Sequence, residues 1–284
     1  MKISMILIKN TIKIVFDFIK KSLFLCNLTN TELQGHIVPI SKLRFMPKTK
    51  LAVPYSLGRT CRGVSFNKSF NKDTFGNLWL AIFNGTGIKE ASDDLTIKMK
   101  KEKNLRASDV VNLHNNVNLR KYPAWAFVLP WDNVSVQEKF ESFPGSFYRN
   151  RSQNGLYFKN SSRQLVIDTM YSVESVKSKV NQMQRTMESI RKNGLKRNFD
   201  APNIHIFIDG SDWRWAMGDS GNHRSFICSM LGHETLEVRL SSIIYKNKVN
   251  SWKNVKNGTY SVEEAEYIFD SYFEGSDVVF GASI

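Results

Sequence analysis

IHIFIDGSDWRWAMGDSGNHRSFICSMLGHETLEVRLSSIIY, residues 204–245, carries the clearest secondary-structure signal in the chain. Its first segment, Ile204 to Ile208, is an apolar run closed by an Asp-Gly pair, which is typical of a buried strand. In Trp213 to Met217, large apolar residues occupy every second position, as they do in a strand. An apolar helix from Ser225 to Leu231 is stopped by a glycine, and a further strand runs from Thr235 to Tyr245. This order predicts an α/β fold built on a mixed sheet with helices.

The loop between the second strand and the helix has the composition of a phosphate-binding loop. A glycine-bearing turn between a strand and a helix points backbone N–H groups at an anion, and the helix N-terminus adds partial positive charge. Either Ser220 or Asn222 is expected to cap the helix, and Arg224 is expected to reach back to a phosphate oxygen. The predicted phosphate-binding residues are Ser220, Gly221, Asn222, His223 and Arg224.

The same loop offers groups for catalysis. Asp219 is the predicted metal ligand or general base, and His223 and Asp209 are the other catalytic candidates, with Asp132 a further one. A purely structural interpretation also fits these residues: Asn222 as a plain N-cap, His223 hydrogen-bonded to the backbone, and Arg224 paired with Asp219.

Flanking segments predict further elements. Apolar residues at steps of three and four indicate a helix over residues 172–193 that ends at a glycine. Ser-x-x-Glu capping boxes predict helices over residues 135–141 and 261–274. The apolar run over residues 124–129 predicts another buried strand.

The basic loop over residues 147–155 contains Arg149 and Arg151. Two arginines two positions apart can bind one anion between their guanidinium groups, so both are predicted as a second phosphate contact. The alternative is a surface turn made by Asn154 and Gly155.

Residues 1–25 are strongly apolar but interrupted by charges, so no uncharged run is long enough to span a bilayer. At about 100° per residue the charged positions fall on one stripe, which predicts an amphipathic basic helix. Two interpretations stay open: a helix lying on an anionic membrane surface, or a helix docked on the protein's own core. The fold of residues 26–120 is unclear, and residues 121–284 form the predicted C-terminal module.

Charge is unevenly distributed along the 284 residues. Residues 1–198 hold 33 Lys and Arg against 14 Asp and Glu, whereas residues 199–284 hold 7 against 12. An acidic module with a phosphate cradle suits a metal-bound nucleotide better than a bare DNA backbone. Three widely spaced cysteines fit neither a disulfide framework nor a Cys-x-x-Cys metal site, which indicates a cytoplasmic protein.

The segment from Asp219 to Arg224, followed by Leu231-Gly232 and a strand, resembles the core of the ParB/sulfiredoxin-like superfamily. Members place an Asp-Gly-x-His-Arg type signature between a strand and a helix. The resemblance covers about fifty residues. Asn222 stands where sulfiredoxins have the catalytic cysteine, which argues against sulfinic-acid reduction, and the 39 residues after Tyr245 leave no room for the DNA-binding and dimerisation domains of partition proteins.

The remaining branch of that superfamily consists of small-molecule kinases whose His-Arg loop holds nucleotide phosphates. The resemblance therefore implies a nucleotide-dependent phosphotransferase that acts on a small-molecule or glycan-linked hydroxyl at the inner membrane face. Its implied cofactors are Mg²⁺ and a nucleoside triphosphate, ATP or CTP. The alternatives are a ParB-like nucleotide- or DNA-binding protein without kinase activity, for which the basic residues 1–198 argue, and an inactive scaffold.

Overall fold

A computed structural model of the chain describes residues 50–66, 74–85, 88–142, 168, 172–194, 201–218 and 221–275. In these ranges the fold is α/β, with a five-stranded mixed sheet and helices on both of its faces. The expected fold class is confirmed. None of the described helices is both long and apolar enough to cross a bilayer.

The sheet has the strand order β1-β5-β3-β4-β2. Its strands are β1 (Lys50–Pro54), β2 (Gly58–Arg59), β3 (Asn203–Asp209), β4 (Asp212–Met217) and β5 (Thr235–Tyr245). The three central strands are those predicted from residues 204–245. The two edge strands come from residues 50–59, so the sheet crosses the boundary that the sequence suggested at residue 121.

β3 is antiparallel to β4 and parallel to β5. The β3–β5 register shifts by one residue next to Ile204: Leu240 is the partner of Ile204, whereas Ser242 is the partner of His205. Ser241 is skipped, as in a β-bulge. Upstream of this point Leu236 and Val238 face one core, and downstream Ile244 faces the other. One strand therefore supplies buried side chains to both faces of the sheet.

The helices divide between these faces. They are α1 (Thr74–Phe83), α2 (Ile88–Lys103), α3 (Val117–Arg120), α4 (Val136–Ser142), α5 (Val173–Asn193), α6 (Asn222–Met230), α7 (Lys253–Lys256) and α8 (Val262–Glu274). On one face α1, α2, α5 and α6 enclose the cleft-side core, which includes Trp79, Trp215, Met183 and Phe226. On the other face lies the aromatic core, which includes Trp131, Phe207, Trp252, Phe269 and Tyr272.

Local signals placed α4, α5 and α8 correctly, whereas α1 and α2 lie in the region whose fold the sequence left unclear. α5 begins after Ser172, whose side chain accepts from the Ser175 N–H, and it ends at Gly194. Its buried residues are Val176, Val180, Met183, Met187 and Ile190, the predicted stripe. α8 begins with the predicted capping box of Ser261 and Glu264, and α4 begins with the same arrangement at residues 135–138.

The strand predicted over residues 124–129 is wrong. A 3-10 helix occupies Ala124–Ala126, directly after Pro123, and residues 127–129 have no regular structure. The Phe127 and Val128 side chains are nevertheless buried in the aromatic core. A short apolar run indicates that its side chains are buried, but it does not show that they form a strand. Here the side chains are buried by packing, without strand pairing.

Candidate functional site

A cleft of about 420 Å³ opens where α6 begins. Its walls come from Gln182, Met183 and Thr186 of α5, from residues 201–203 leading into β3, from Gly221, His223 and Arg224 around the start of α6, and from Arg239 of β5. Three of the predicted phosphate-binding residues, Gly221, His223 and Arg224, therefore lie together. Within the described chain, no carboxylate is among the residues that line this cleft.

Gly221 shapes the entry to α6. Its φ of +88° is left-handed, and a Cβ placed on it would lie 2.2 Å from the Pro202 Cβ. Both observations require glycine at this position, because a larger residue would be strained and would collide with the cleft wall. The sequence predicted a glycine for close backbone approach, and the neighbour that it approaches is Pro202.

The cap of α6 differs from the one predicted. Gly221 is the N-cap and Asn222 is already the first helical residue, so the prediction of Asn222 as the cap is wrong. A glycine N-cap has no side chain with which to satisfy the amide groups of the first turn, which have no partner within a helix. The positive φ of Gly221 explains the assignment, because it sets the turn that starts the helix at Asn222.

The first turn of α6 is anchored to the cleft-side core. Ser225 is buried, and both its N–H and its hydroxyl donate to the Gly221 carbonyl, each at 3.0 Å. The Ser225 carbonyl accepts from the Tyr55 hydroxyl, also at 3.0 Å. The helix start therefore has a fixed position relative to the sheet.

His223 is hydrogen-bonded to Trp79. The Trp79 indole N–H donates to the His223 Nδ1 at 3.2 Å, and the two rings lie 5.5 Å apart at 57°. Burial lowers the pKa of His223 to about 4, with the nearby charges of Lys179 and Arg224 acting in the same direction. The imidazole is therefore neutral at pH 7, which excludes imidazolium as the phosphate-binding form.

Cationic side chains reach this site from three elements. Arg224 lies on α6, Arg239 on β5, and Lys179 on α5 close enough to act on the imidazole. β5 is itself held against the cleft, because the Arg239 N–H donates to the Pro202 carbonyl at 2.8 Å. Arg224 and Arg239 thus place positive charge at the site although residues 199–284, to which both belong, carry a net negative charge.

Two carboxylates predicted for catalysis lie elsewhere. Asp209 ends β3 at the opposite end from Asn203, about 20 Å along the strand. Its carboxylate is exposed and lies 3.5 Å from the Lys246 Nζ. Asp132 accepts from the Leu129 N–H at 2.8 Å in a turn beside the aromatic core. Asp209 and Asp132 are therefore corrected to structural positions.

Other predicted residues lie outside the described part of the chain. They are Asp219, Ser220, Arg149 and Arg151, together with the predicted helix of residues 1–25. Within the described residues, no group of three or more His, Cys, Asp or Glu is placed to hold a metal ion.

Sequence reasoning missed two important residues of the site, Trp79 and Arg239. Trp79 precedes His223 by 144 positions, and no local pattern connects them. Arg239 lies in a strand that was predicted correctly. Its position next to the cleft, however, results from the pairing of β3 with β5, which the sequence did not predict. Arg239 is one of two charged residues in that strand, with Glu237, so its charge alone did not distinguish it. Comparison of the chain with family models, curated proteins and solved structures gives no match.

Proposed function

We propose that this protein binds a nucleotide through its phosphate groups in the cleft at the start of α6. It then transfers the terminal phosphoryl group to a small-molecule or glycan-linked hydroxyl. The observation that carries the proposal is the convergence of Arg224, Arg239 and the neutral His223 on a helix N-terminus entered through Gly221.

Phosphate is the anion that this arrangement suits. Guanidinium groups offer planar pairs of donors that match two phosphate oxygens, and N–H groups at a helix start add donors and partial positive charge. The glycine at the cap lets the start of α6 pack closely against Pro202 of the cleft wall. The cleft volume of about 420 Å³ lies within the range of small-molecule sites.

The transfer step requires a carboxylate, and Asp219 is the residue proposed for it. Phosphoryl transfer is catalysed mainly by positioning and by neutralising charge, so a phosphate cradle, an arginine and one acidic group are a sufficient set. Asp219 would accept the proton of the attacking hydroxyl or hold Mg²⁺. When bound, Mg²⁺ with ATP or CTP would supply further charge neutralisation.

The site of action and the competing function concern residues 1–198. We place the reaction at the inner face of the membrane, with residues 1–25 contacting anionic lipid. The surplus of Lys and Arg in residues 1–198 instead favours nucleic-acid binding as the second candidate. Retention on DNA that falls steeply with salt, without nucleotide turnover, would favour the second candidate.

The test compares Arg224→Gln with a matched control, Arg185→Gln. Arg185 is an exposed arginine of α5 outside the cleft lining, so its loss removes the same charge from the surface. A thermal-shift screen of ATP, CTP and GTP with and without Mg²⁺ should show stabilisation of the parent by about 2.7 kcal/mol at about 100 times Kd. Arg224→Gln should abolish this stabilisation, and the control should retain it.

The same screen separates binding from transfer through Asp219→Asn. This variant should keep nucleotide binding and lose phosphoryl transfer, measured by nucleoside diphosphate release with a hydroxyl acceptor. If Arg224→Gln binds nucleotide as the parent does, the phosphate site is assigned wrongly. Transfer that survives Asp219→Asn would remove Asp219 from the mechanism.

A further inference from the structure

The contact between Trp79 and His223 joins two distant parts of the chain. Trp79 lies on α1 and is fully buried in the cleft-side core, whereas His223 lies on the first turn of α6 and lines the cleft. A hydrogen bond of 3.2 Å runs from the indole Nε1 to the imidazole Nδ1. α1 thus contacts a cleft residue through the Trp79 side chain.

The direction of this bond determines which imidazole nitrogen carries the proton. An indole N–H is a donor only, so the Nδ1 of His223 has to be an acceptor. A neutral imidazole has one protonated and one unprotonated nitrogen. With Nδ1 unprotonated, the proton of the neutral ring is on Nε2.

We propose that Trp79 is a positioning residue, whose indole N–H keeps His223 in the neutral, Nε2-protonated tautomer so that Nε2 donates to an oxygen of a phosphate bound in the cleft. The choice of phosphate as ligand rests on the proposed function. The tautomer itself depends only on the contact with Trp79.

The charges around the ring favour the same state. Lys179 on α5 and Arg224 on the same helix as His223 are cationic and disfavour a further proton on the imidazole, and Arg239 of β5 lines the same cleft. Burial acts in the same direction and is the larger cause of the lowered pKa of His223. The positive charge that attracts a phosphate therefore resides on the arginines and the lysine, and His223 contributes a neutral donor.

This assignment changes the role of His223 in catalysis. A ring that is already protonated on Nε2, with Nδ1 occupied by Trp79, cannot accept the proton of an attacking hydroxyl. The proton acceptor must then be another group, and Asp219 is the candidate in the same loop. His223 acts in binding, and Trp79 acts through His223.

The first experiment needs no ligand and no variant. Long-range ¹H–¹⁵N NMR of the histidine side chains in the full chain distinguishes the two neutral tautomers. His223 should give the Nε2-protonated pattern, unchanged from pH about 8 down to about 5.5, because its pKa lies near 4. An Nδ1-protonated ring, or a ring that titrates in this interval, would overturn the proposal.

The second experiment compares Trp79→Phe with Trp215→Phe. Trp215 is an equally buried tryptophan of the cleft-side core, and its indole donates to the Pro54 carbonyl at 2.8 Å instead of to His223. Trp79→Phe should give a mixture of tautomers and weaken tripolyphosphate binding by roughly 3- to 10-fold, the range expected for one hydrogen bond. Trp215→Phe should leave both unchanged at a similar loss of stability.

The two readouts separate this proposal from the proposed function. If His223 keeps the Nε2-protonated tautomer in Trp79→Phe, Trp79 does not position it, whatever the protein binds. If the parent shows the expected tautomer and Trp79→Phe disturbs it, but neither protein binds tripolyphosphate, the role of Trp79 is supported and the phosphate site fails.

Discussion

The two faces of the sheet use polar side chains in different ways. On the side of the aromatic core, Arg59 is buried and donates to the Tyr272, Gly58 and Phe273 carbonyls, at 3.0, 2.9 and 2.6 Å. These bonds tie β2 to the last turn of α8. On the side of the cleft, Arg224 and Arg239 line an open volume. One arginine ties two elements of the fold together, and the other two lie at the wall of the cleft.

Asn254 extends this contrast. It is fully buried, and its side-chain amide donates to the carbonyls of Leu129, Asp132 and Val134. One side chain therefore hydrogen-bonds three backbone carbonyls of the irregular segment before α4. A buried polar residue that satisfies backbone groups indicates structure, whereas donors at the wall of a cleft indicate binding.

The largest expected effect is on the aromatic face, in Phe207→Ala. Phe207 is fully buried, stacks on Tyr272 at 5.5 Å and meets the edge of Trp131 at 5.1 Å. Removing the ring should lower the free energy of unfolding by about 3–5 kcal/mol. Urea denaturation measures the loss. Nucleotide affinity of the folded fraction should stay within about twofold; a larger change would show that the two faces are not separable.

A smaller effect is expected for Asn254→Ala, which removes the side-chain donor from the Asp132 and Val134 carbonyls and leaves the Leu129 carbonyl with the Asp132 N–H alone. The free energy of unfolding should fall by about 2–3 kcal/mol. A buried carbonyl left without a hydrogen bond destabilises the fold by more than the net contribution of one hydrogen bond. Asn118→Ala is the control, since the Asn118 side chain makes only exposed bonds in the described structure, to the Gly258 carbonyl and from the Lys121 Nζ, and its loss should cost less than about 1 kcal/mol. Equal losses in denaturant melts would contradict the structural role of Asn254.

The smallest effect concerns the cleft face and depends on pH. His223 has a pKa of about 4 in the folded protein, whereas an unfolded histidine titrates near about 6.5. As the pH falls through that interval the unfolded chain takes up a proton that the native protein does not, so the free energy of unfolding decreases. The stability that the neutral His223 contributes is fully present above about pH 6.5 and is lost as the pH falls towards about 4.

His223→Gln removes this titration. Between about pH 7 and about pH 5 the parent should lose more stability than the variant in urea denaturation, while carboxylate contributions cancel in the difference. Identical pH dependence in the two proteins would mean that His223 is exposed enough to titrate normally.

Elements defined by local patterns could be predicted from the sequence. The stripe of α5, the capping box of α8 and the three central strands depend on residues within one or two turns of each other. The edge strands could not be predicted in this way. β1 and β2 are short and belong to the sheet only through pairing with β5 and β4, far along the chain.

The same distinction applies to the site. Gly221, His223 and Arg224 were found because they are consecutive in a loop with a recognisable composition. Trp79 and Arg239 reach the cleft through tertiary packing, and Asp209 was misassigned because proximity in sequence to the loop does not place it near the cleft. Residues brought together by strand pairing leave no periodic signal.

The bulge at Ser241 gives β5 one residue that the sheet does not need. Leu240 and Ser242 are already opposite the consecutive residues Ile204 and His205, so a strand without Ser241 would keep Ile244 on the side of the aromatic core. A deletion elsewhere in β5 removes a paired residue and moves the residues beyond it to the opposite face. Among homologous chains, a one-residue difference in the length of β5 should therefore occur at position 241.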